Sequence, residues 1–264
     1  MQPAITLAEP ERESVHSLEG VLANRRWWRR RYPFHHVVAY NVFTDEVYAQ
    51  MVAEFQKLLE QPESFQRNMP GYDATAMEFS RDVTGSLSVF VSRAWHDMIA
   101  AVMDVRCTLD IVGSLHHHAI GSGSGRPHND LNPGWFADSP NADGVNVADG
   151  RLVEYRSGRI VKPGITTRQV VRAIAVMYYM NNPPWFPGDG GETCFYRHAC
   201  DPVDHPVAAI PPISNSLVCF ECTPYSYHSF ITNRRTPRDS VTLWLHRTRT
   251  DVAARWGEDK LVHW

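Results

Sequence analysis

The chain is predicted to fold as a mainly β protein with supporting helices (α+β), a sandwich or barrel carried on an N-terminal helical layer. Three observations predict it. Helical spacing of apolar residues is confined to the first hundred or so positions. From Cys107 onward, short apolar or alternating runs are separated by Gly, Pro and Asn, the punctuation of many short strands. Helices first and strands later place a helical layer against a sheet.

The elements follow in order. The first twenty or so residues are polar and expected to be loosely ordered. Arg25-Arg26-Trp27-Trp28-Arg29-Arg30-Arg31 interleaves cations with aromatics, a pattern found on nucleic-acid surfaces. Its plainer reading is tryptophans packed on the domain with wet arginines, and a third is a border of the substrate site. Residues 34–42 read as a strand. Thr44 reads as an N-cap with Asp45 and Glu46 in the first turn, followed by Val47, Met51, Phe55, Leu58 and Leu59 at helical spacing until Pro62. A second helix is expected over 86–105, its stripe formed by Leu87, Phe90, Val91, Ala94, Trp95, Met98 and Val102. Strands are expected at 108–112, 114–120, 151–155, 172–180, 192–196, 207–210, 216–220, 228–232 and 240–246. Residues 137–170 interrupt the strand pattern, and a long insert of this kind is expected to cover part of the active-site mouth. One structural domain is expected: 1–106 as arm and helical support, 107–250 as catalytic core with a lid insert at 137–170, and 251–264 as a C-terminal tail.

Bulk properties narrow the function. At 264 residues with 43% apolar and 21% charged side chains, the chain has the profile of a globular protein. A net charge of −3 gives no general attraction to nucleic acid or to anionic lipid. No apolar run approaches the roughly 20 residues that span a bilayer. The start of the chain lacks the basic and apolar segments of a secretory signal, so a cytoplasmic location is expected. Five cysteines are too few and too scattered for a disulfide framework. Cys219 and Cys222, three apart, would lie on opposite faces of a strand and are read as reduced core thiols.

The chemistry concentrates at His128-Asn129-Asp130 and, about a hundred residues later, His228. In a strand, residues two apart share a face, so His128 and Asp130 would meet one ion while Asn129 points away. Two histidines and one carboxylate are the ligand set of a non-haem Fe(II) oxygenase and leave open positions on an octahedral ion. The preceding Gly121-Ser122-Gly123-Ser124-Gly125-Arg126-Pro127 lacks the Gly-Lys-Ser/Thr ending of a phosphate loop and reads as a turn.

From His128-x-Asp130 onward the sequence resembles the 2-oxoglutarate/Fe(II)-dependent dioxygenase superfamily, in its prolyl-hydroxylase-like branch. Arg172-Ala-Ile-Ala-Val-Met-Tyr178-Tyr179-Met180-Asn181 is similar to the family strand ending in Tyr-Leu-Asn. Gly190-Gly191-Glu192-Thr193 matches its Gly-Gly element. The run Pro211-Pro212 to Asn215-Ser216-Leu217-Val218 and Phe220 is similar to the strand before the distal histidine. Arg238-Asp239-Ser240-Val241-Thr242-Leu243-Trp244 is similar to the strand with the cosubstrate-binding cation. The resemblance spans about 108–247. It implies a double-stranded β-helix (jelly roll, cupin-like) core with the N-terminal helices packed on one sheet. It also implies His128, Asp130 and His228 as Fe(II) ligands, with Arg238 gripping the 5-carboxylate of 2-oxoglutarate as a planar fork. Tyr179 would donate to that carboxylate, and His118 stands where relatives carry a cosubstrate-contacting tyrosine.

The implied reaction consumes 2-oxoglutarate and O2, with ascorbate as reductant, releases succinate and carbon dioxide, and oxidises an unactivated C–H bond. Asp130 argues against halogenation, since halogenating relatives carry Ala or Gly there. Alternatives stay open at several positions: Arg234 or Arg235 for Arg238, and Tyr178 for Tyr179 if the strand parity is reversed. His116 and His117 are read as structural or pocket-lining, and Trp135, Trp185 and Phe186 as substrate-stacking, core or lid. The expected substrate is a small molecule, a specialised metabolite or amino-acid derivative, with a protein or prolyl side chain as the alternative. No nucleic acid or membrane partner is expected. A rival outside the enzymes is a metal-holding jelly-roll binding protein, which needs no buried cation ten residues past its last ligand.

Overall fold

The structure is a computed structural model describing residues 17–61, 63–67 and 73–263. The segment ahead of residue 17 and Pro62, on which two expectations fell, lie outside the described residues. In chain order the elements are β1 (Trp28–Arg30), β2 (His36–Tyr40), α1 (Asp45–Leu59), β3 (Gln66–Arg67), β4 (Thr75–Glu78), α2 (Arg93–Met103), β5 (Asp110–His118), β6 (Pro133–Ala137), β7 (Asn146–Val147), β8 (Thr167–Tyr179), β9 (Thr193–Phe195), β10 (Ala208–Ile210), β11 (Ser216–Glu221), β12 (His228–Phe230), β13 (Arg238–Thr248) and α3 (Arg249–Trp256). Short 3-10 helices occupy Ser86–Val91 and Glu258–Lys260.

A large sheet runs β1-β2-β11-β8-β13-β5-β4-β3, with β6 on β8 and β7 on β5, and faces a small sheet β10-β9-β12. This is the double-stranded β-helix core. The central strand β8 is buried from Val170 to Tyr179, so it reads as a continuous apolar run. Alternate residues serve different layers. Ile174, Val176 and Tyr178 join the outer core with Met51 and Phe55 of α1 and Trp95, Ile99 and Met103 of α2. Ala175, Met177 and Tyr179 face inward with Phe195, Val218 and Phe220. The helices therefore buttress one face of the large sheet, and the space between the sheets is left for the site.

Local chemistry explains most boundaries. Thr44 Oγ1 accepts from Val47 N at 3.4 Å and opens α1. The single helix expected over 86–105 is interrupted at Ser92, which adopts an extended conformation. Its hydroxyl donates to Val89 O and accepts from Trp95 N, closing a 3-10 turn and capping α2 at once. Strands expected at 108–112 and 114–120 form one strand, β5. Gly113 marks close packing rather than a break, because a Cβ there would collide with the Leu243 side chain. Residues 151–155 form turns and one isolated bridge, Val153 to Ile160, instead of a strand.

Arg25–Arg31 contributes β1, an edge strand on β2. Trp27 packs against the outer core, and Trp28 is 47% exposed with its ring edge on Tyr40. Cys219 faces the outer core, Cys222 lies in the inner cluster, and all five cysteines are free thiols. No helix among the described residues is long and apolar enough to cross a membrane.

Candidate active site

The structure brings His128, Asp130 and His228 together: one ligand atom from each lies within 4.8 Å of the others. The pairing that does this is small. His128 and His228 exchange both backbone hydrogen bonds, at 3.0 and 2.8 Å, as an isolated antiparallel bridge. His128-x-Asp130 is therefore not the continuous strand that the sequence suggests. Asn129 turns instead, its side-chain oxygen accepting from Leu131 N, and Asp130 is delivered by this turn. His228 opens β12, held by β9.

Each imidazole is oriented by its own chain. His128 Nδ1 donates to Arg126 O at 2.8 Å and His228 Nδ1 to Ser226 O at 3.0 Å. The Nε2 atoms of both rings face Asp130, at 4.0 Å from Oδ1 and 3.5 Å from Oδ2 respectively. Burial, reinforced by the neighbouring His228, lowers the His128 imidazole to about 4, so it is neutral at physiological pH. Burial opposes ionisation of Asp130, but Arg172 and His228 outweigh it and hold the carboxyl well below the usual range.

Asp130 is fixed by two side chains to which the sequence analysis gave no role. Arg172 donates to Oδ1 at 3.0 Å and Trp244 Nε1 to Oδ2 at 2.7 Å. The Arg172 guanidinium lies over the Trp244 ring at 3.9 Å. An arginine within the apolar run of β8 was the legible signal, since such a charge is rarely buried without a partner.

A second cluster sits deeper between the sheets. Arg238 is 4% exposed, with its guanidinium over the rings of Tyr179 and Phe230 at 5.1 and 5.2 Å. It donates to Thr193 Oγ1 and Ser240 Oγ at 3.3 and 3.4 Å, and its Nε has no hydrogen-bond partner. Among the described residues no carboxylate lies within 4.0 Å of it, an unusual state for a buried cation. Tyr179 donates to Thr193 Oγ1 at 2.6 Å, which gives the threonine a place in the cluster that the sequence did not reveal. His118 faces Arg238 across β5 and β13 and stacks on Phe230 at 4.2 Å. Burial and the Arg238 charge lower its imidazole well below the ordinary value. β12 links the clusters, because His228 and Phe230, two apart, share a face.

The open alternatives divide cleanly. Tyr178 faces the outer core against Phe43 and Phe90, and Arg234 and Arg235 are exposed, the latter paired with Asp189 at 3.6 Å. His116 bonds Ser114 within the buried face, while His117 points the other way onto Asp239 at 2.6 Å. Phe186 is exposed, and Trp185 and Trp135 are half-buried.

Comparison with known proteins bears on this arrangement. Residues 153–246 match the model of the 2OG-Fe(II) oxygenase superfamily, a span that holds His228 and Arg238 and stops short of His128 and Asp130. Two solved structures share the fold. A Pseudomonas putida prolyl-4-hydroxylase superposes with a TM-score of 0.52 at 17% identity, covering 87% of this chain and 95% of its own. A prolyl hydroxylase from Trichoplax adhaerens, in complex with a hypoxia inducible factor oxygen degradation domain peptide, gives 0.54 at 16% identity over 83% and 86%. No curated protein matches the chain. Residues 153–246 of the chain are thus similar to the 2OG-Fe(II) oxygenase superfamily, and its fold is shared with the two prolyl hydroxylases. The chain is a dioxygenase that uses Fe(II), 2-oxoglutarate and O2.

Proposed function

We propose that this dioxygenase hydroxylates an unactivated C–H bond of a small molecule, a specialised metabolite or amino-acid derivative, with His128, Asp130 and His228 holding the iron. The observation that carries the ligand assignment is the convergence of two imidazole nitrogens and one carboxylate oxygen within 4.8 Å. That donor set suits Fe(II) and leaves positions for cosubstrate and oxygen. When bound, iron and 2-oxoglutarate supply the O2-dependent oxidation, with release of succinate and carbon dioxide.

The chain's own residues bind, orient and exclude water. Arg238 grips the distal carboxylate of 2-oxoglutarate, which answers the missing counterion of a buried guanidinium. Tyr179 and Thr193 complete the grip through hydroxyls already aligned on one another. His118, neutral and stacked on Phe230, walls the same end. A second reading, oxidation of a prolyl or other protein side chain, is favoured by the fold shared with a peptide-bound prolyl hydroxylase.

The test is succinate release by purified protein with Fe(II), ascorbate and 2-oxoglutarate. Slow basal release is expected, and none from His128→Ala. Release that survives in His128→Ala would remove the ligand assignment. Candidate metabolites and proline-containing peptides, added in turn, distinguish the two substrate readings by which one stimulates release.

A further inference from the structure

The insert between the ligand regions sends one side chain back toward the metal site. Tyr155 lies in it, and its ring packs edge-on against Phe136 at 5.6 Å. Trp135 N donates to Tyr155 O at 2.7 Å, so the tyrosine backbone is tied to β6. A Cβ on Gly134 would collide with the Tyr155 ring, so the glycine permits the close seat.

From this seat Tyr155 joins a chain of directional hydrogen bonds. Arg172 Nε donates to the Tyr155 hydroxyl at 3.3 Å, and that hydroxyl donates to His246 Nε2 at 2.8 Å. His246 Nδ1 then donates to Asp110 O at 2.9 Å. At the other end, the same guanidinium donates through Nη1 to Asp130 Oδ1 at 3.0 Å. One side of the Arg172 plane therefore meets the insert while the other holds the carboxylate, with Trp244 stacked beneath at 3.9 Å.

We propose that Tyr155 is a positioning residue of the metal centre: its hydroxyl locks the rotamer of Arg172, and Arg172 thereby fixes the carboxylate plane of Asp130 for coordination. This rests on the reading of His128, Asp130 and His228 as metal ligands. The physical basis is that outer partners of a ligating carboxylate set its orientation and restrict it before the ion arrives. Without the tyrosine oxygen, the Arg172 Nε loses a fixed bonding direction and Asp130 samples more rotamers.

The experiment uses the full chain and Co(II) as the probe. Isothermal titration and the visible Co(II) spectrum are recorded for wild type, Tyr155→Phe, Arg172→Met and the double variant. Tyr155→Phe removes only the hydroxyl and keeps the ring. It is expected to weaken Co(II) binding roughly tenfold and to change the spectrum. The double variant is expected to bind no more weakly than Arg172→Met, because the tyrosine acts through the arginine. Unchanged Co(II) affinity in folded Tyr155→Phe overturns the proposal, and so do additive losses in the double variant. Failure of the underlying reading is separate: His128→Ala would then bind Co(II) as wild type does.

Discussion

At Arg238 a guanidinium sits between two aromatic rings with two hydroxyl partners and a buried Nε that meets neither. Truncating one partner of a buried charged contact costs roughly 2–5 kcal/mol. Arg238→Ala is therefore expected to weaken 2-oxoglutarate binding by that amount and leave Co(II) affinity in place, as calorimetry will read. Unaltered cosubstrate affinity would move the anchor elsewhere. His117 makes a prediction of opposite character on the far side of β5. Its hydrogen bond to Asp239 raises the imidazole against the opposing effect of burial. A folded-state value above the unfolded one of about 6.5 means the pair stabilises fully below that pH. The stabilisation is lost as pH rises through the folded value. Denaturation of His117→Ala should show a larger deficit near pH 6 than near pH 9, and equal deficits would discard the ion pair.

Among the elements, Ser92 and Gly113 show why boundaries escaped the sequence. The stripe over 86–105 is apolar at helical spacing on both sides of Ser92, so periodicity alone predicts one helix. The serine hydroxyl competes for the backbone and divides it. Ser92→Ala is expected to cost about 1 kcal/mol in chemical denaturation; a cost near zero would mean that packing against Trp95 alone begins α2. Gly113 reads as a turn signal, yet it lies in mid-strand where β13 approaches. Gly113→Ala should destabilise by roughly 1–3 kcal/mol through overpacking against Leu243, and a neutral outcome would show that Leu243 can move aside.

Over the whole molecule, several imidazoles are buried neutral in one barrel. Burial lowers His128 and His246 to about 4 and His116 to about 3, with Arg238 adding to the effect on His116. Unfolding frees each to take a proton near its ordinary value, so the unfolded state binds more protons between about pH 6.5 and 4. Stability of the metal-free protein should therefore fall as pH drops through that window. The raised His117 pushes the other way, one group against several, since His118 and His36 are lowered too. A flat stability profile from pH 7 to 4.5 would contradict the neutral burial of these rings. Metal couples to the same equilibrium: Co(II) at a hundredfold excess over its dissociation constant should add about 2.7 kcal/mol, and a chelator should remove it. A melting temperature indifferent to Co(II) would sever that link.

What the primary structure determined by itself is the chemistry available and its order along the chain. His128, Asp130, His228 and Arg238 are legible as candidates because the ordered motifs around them resemble those of one family. The layer order was legible too, because a 3.6-residue period gives way to a period near two at Cys107. Tertiary structure decided which atoms hold those groups still. Arg172 and Trp244 meet Asp130 only because β8 and β13 are neighbours. Tyr155 reaches Arg172 only because residues far from either strand fold back onto β6. Thr193 acquires its role from the small sheet facing the large one. Such contacts follow from the register between strands distant in the chain, and no local pattern encodes that register.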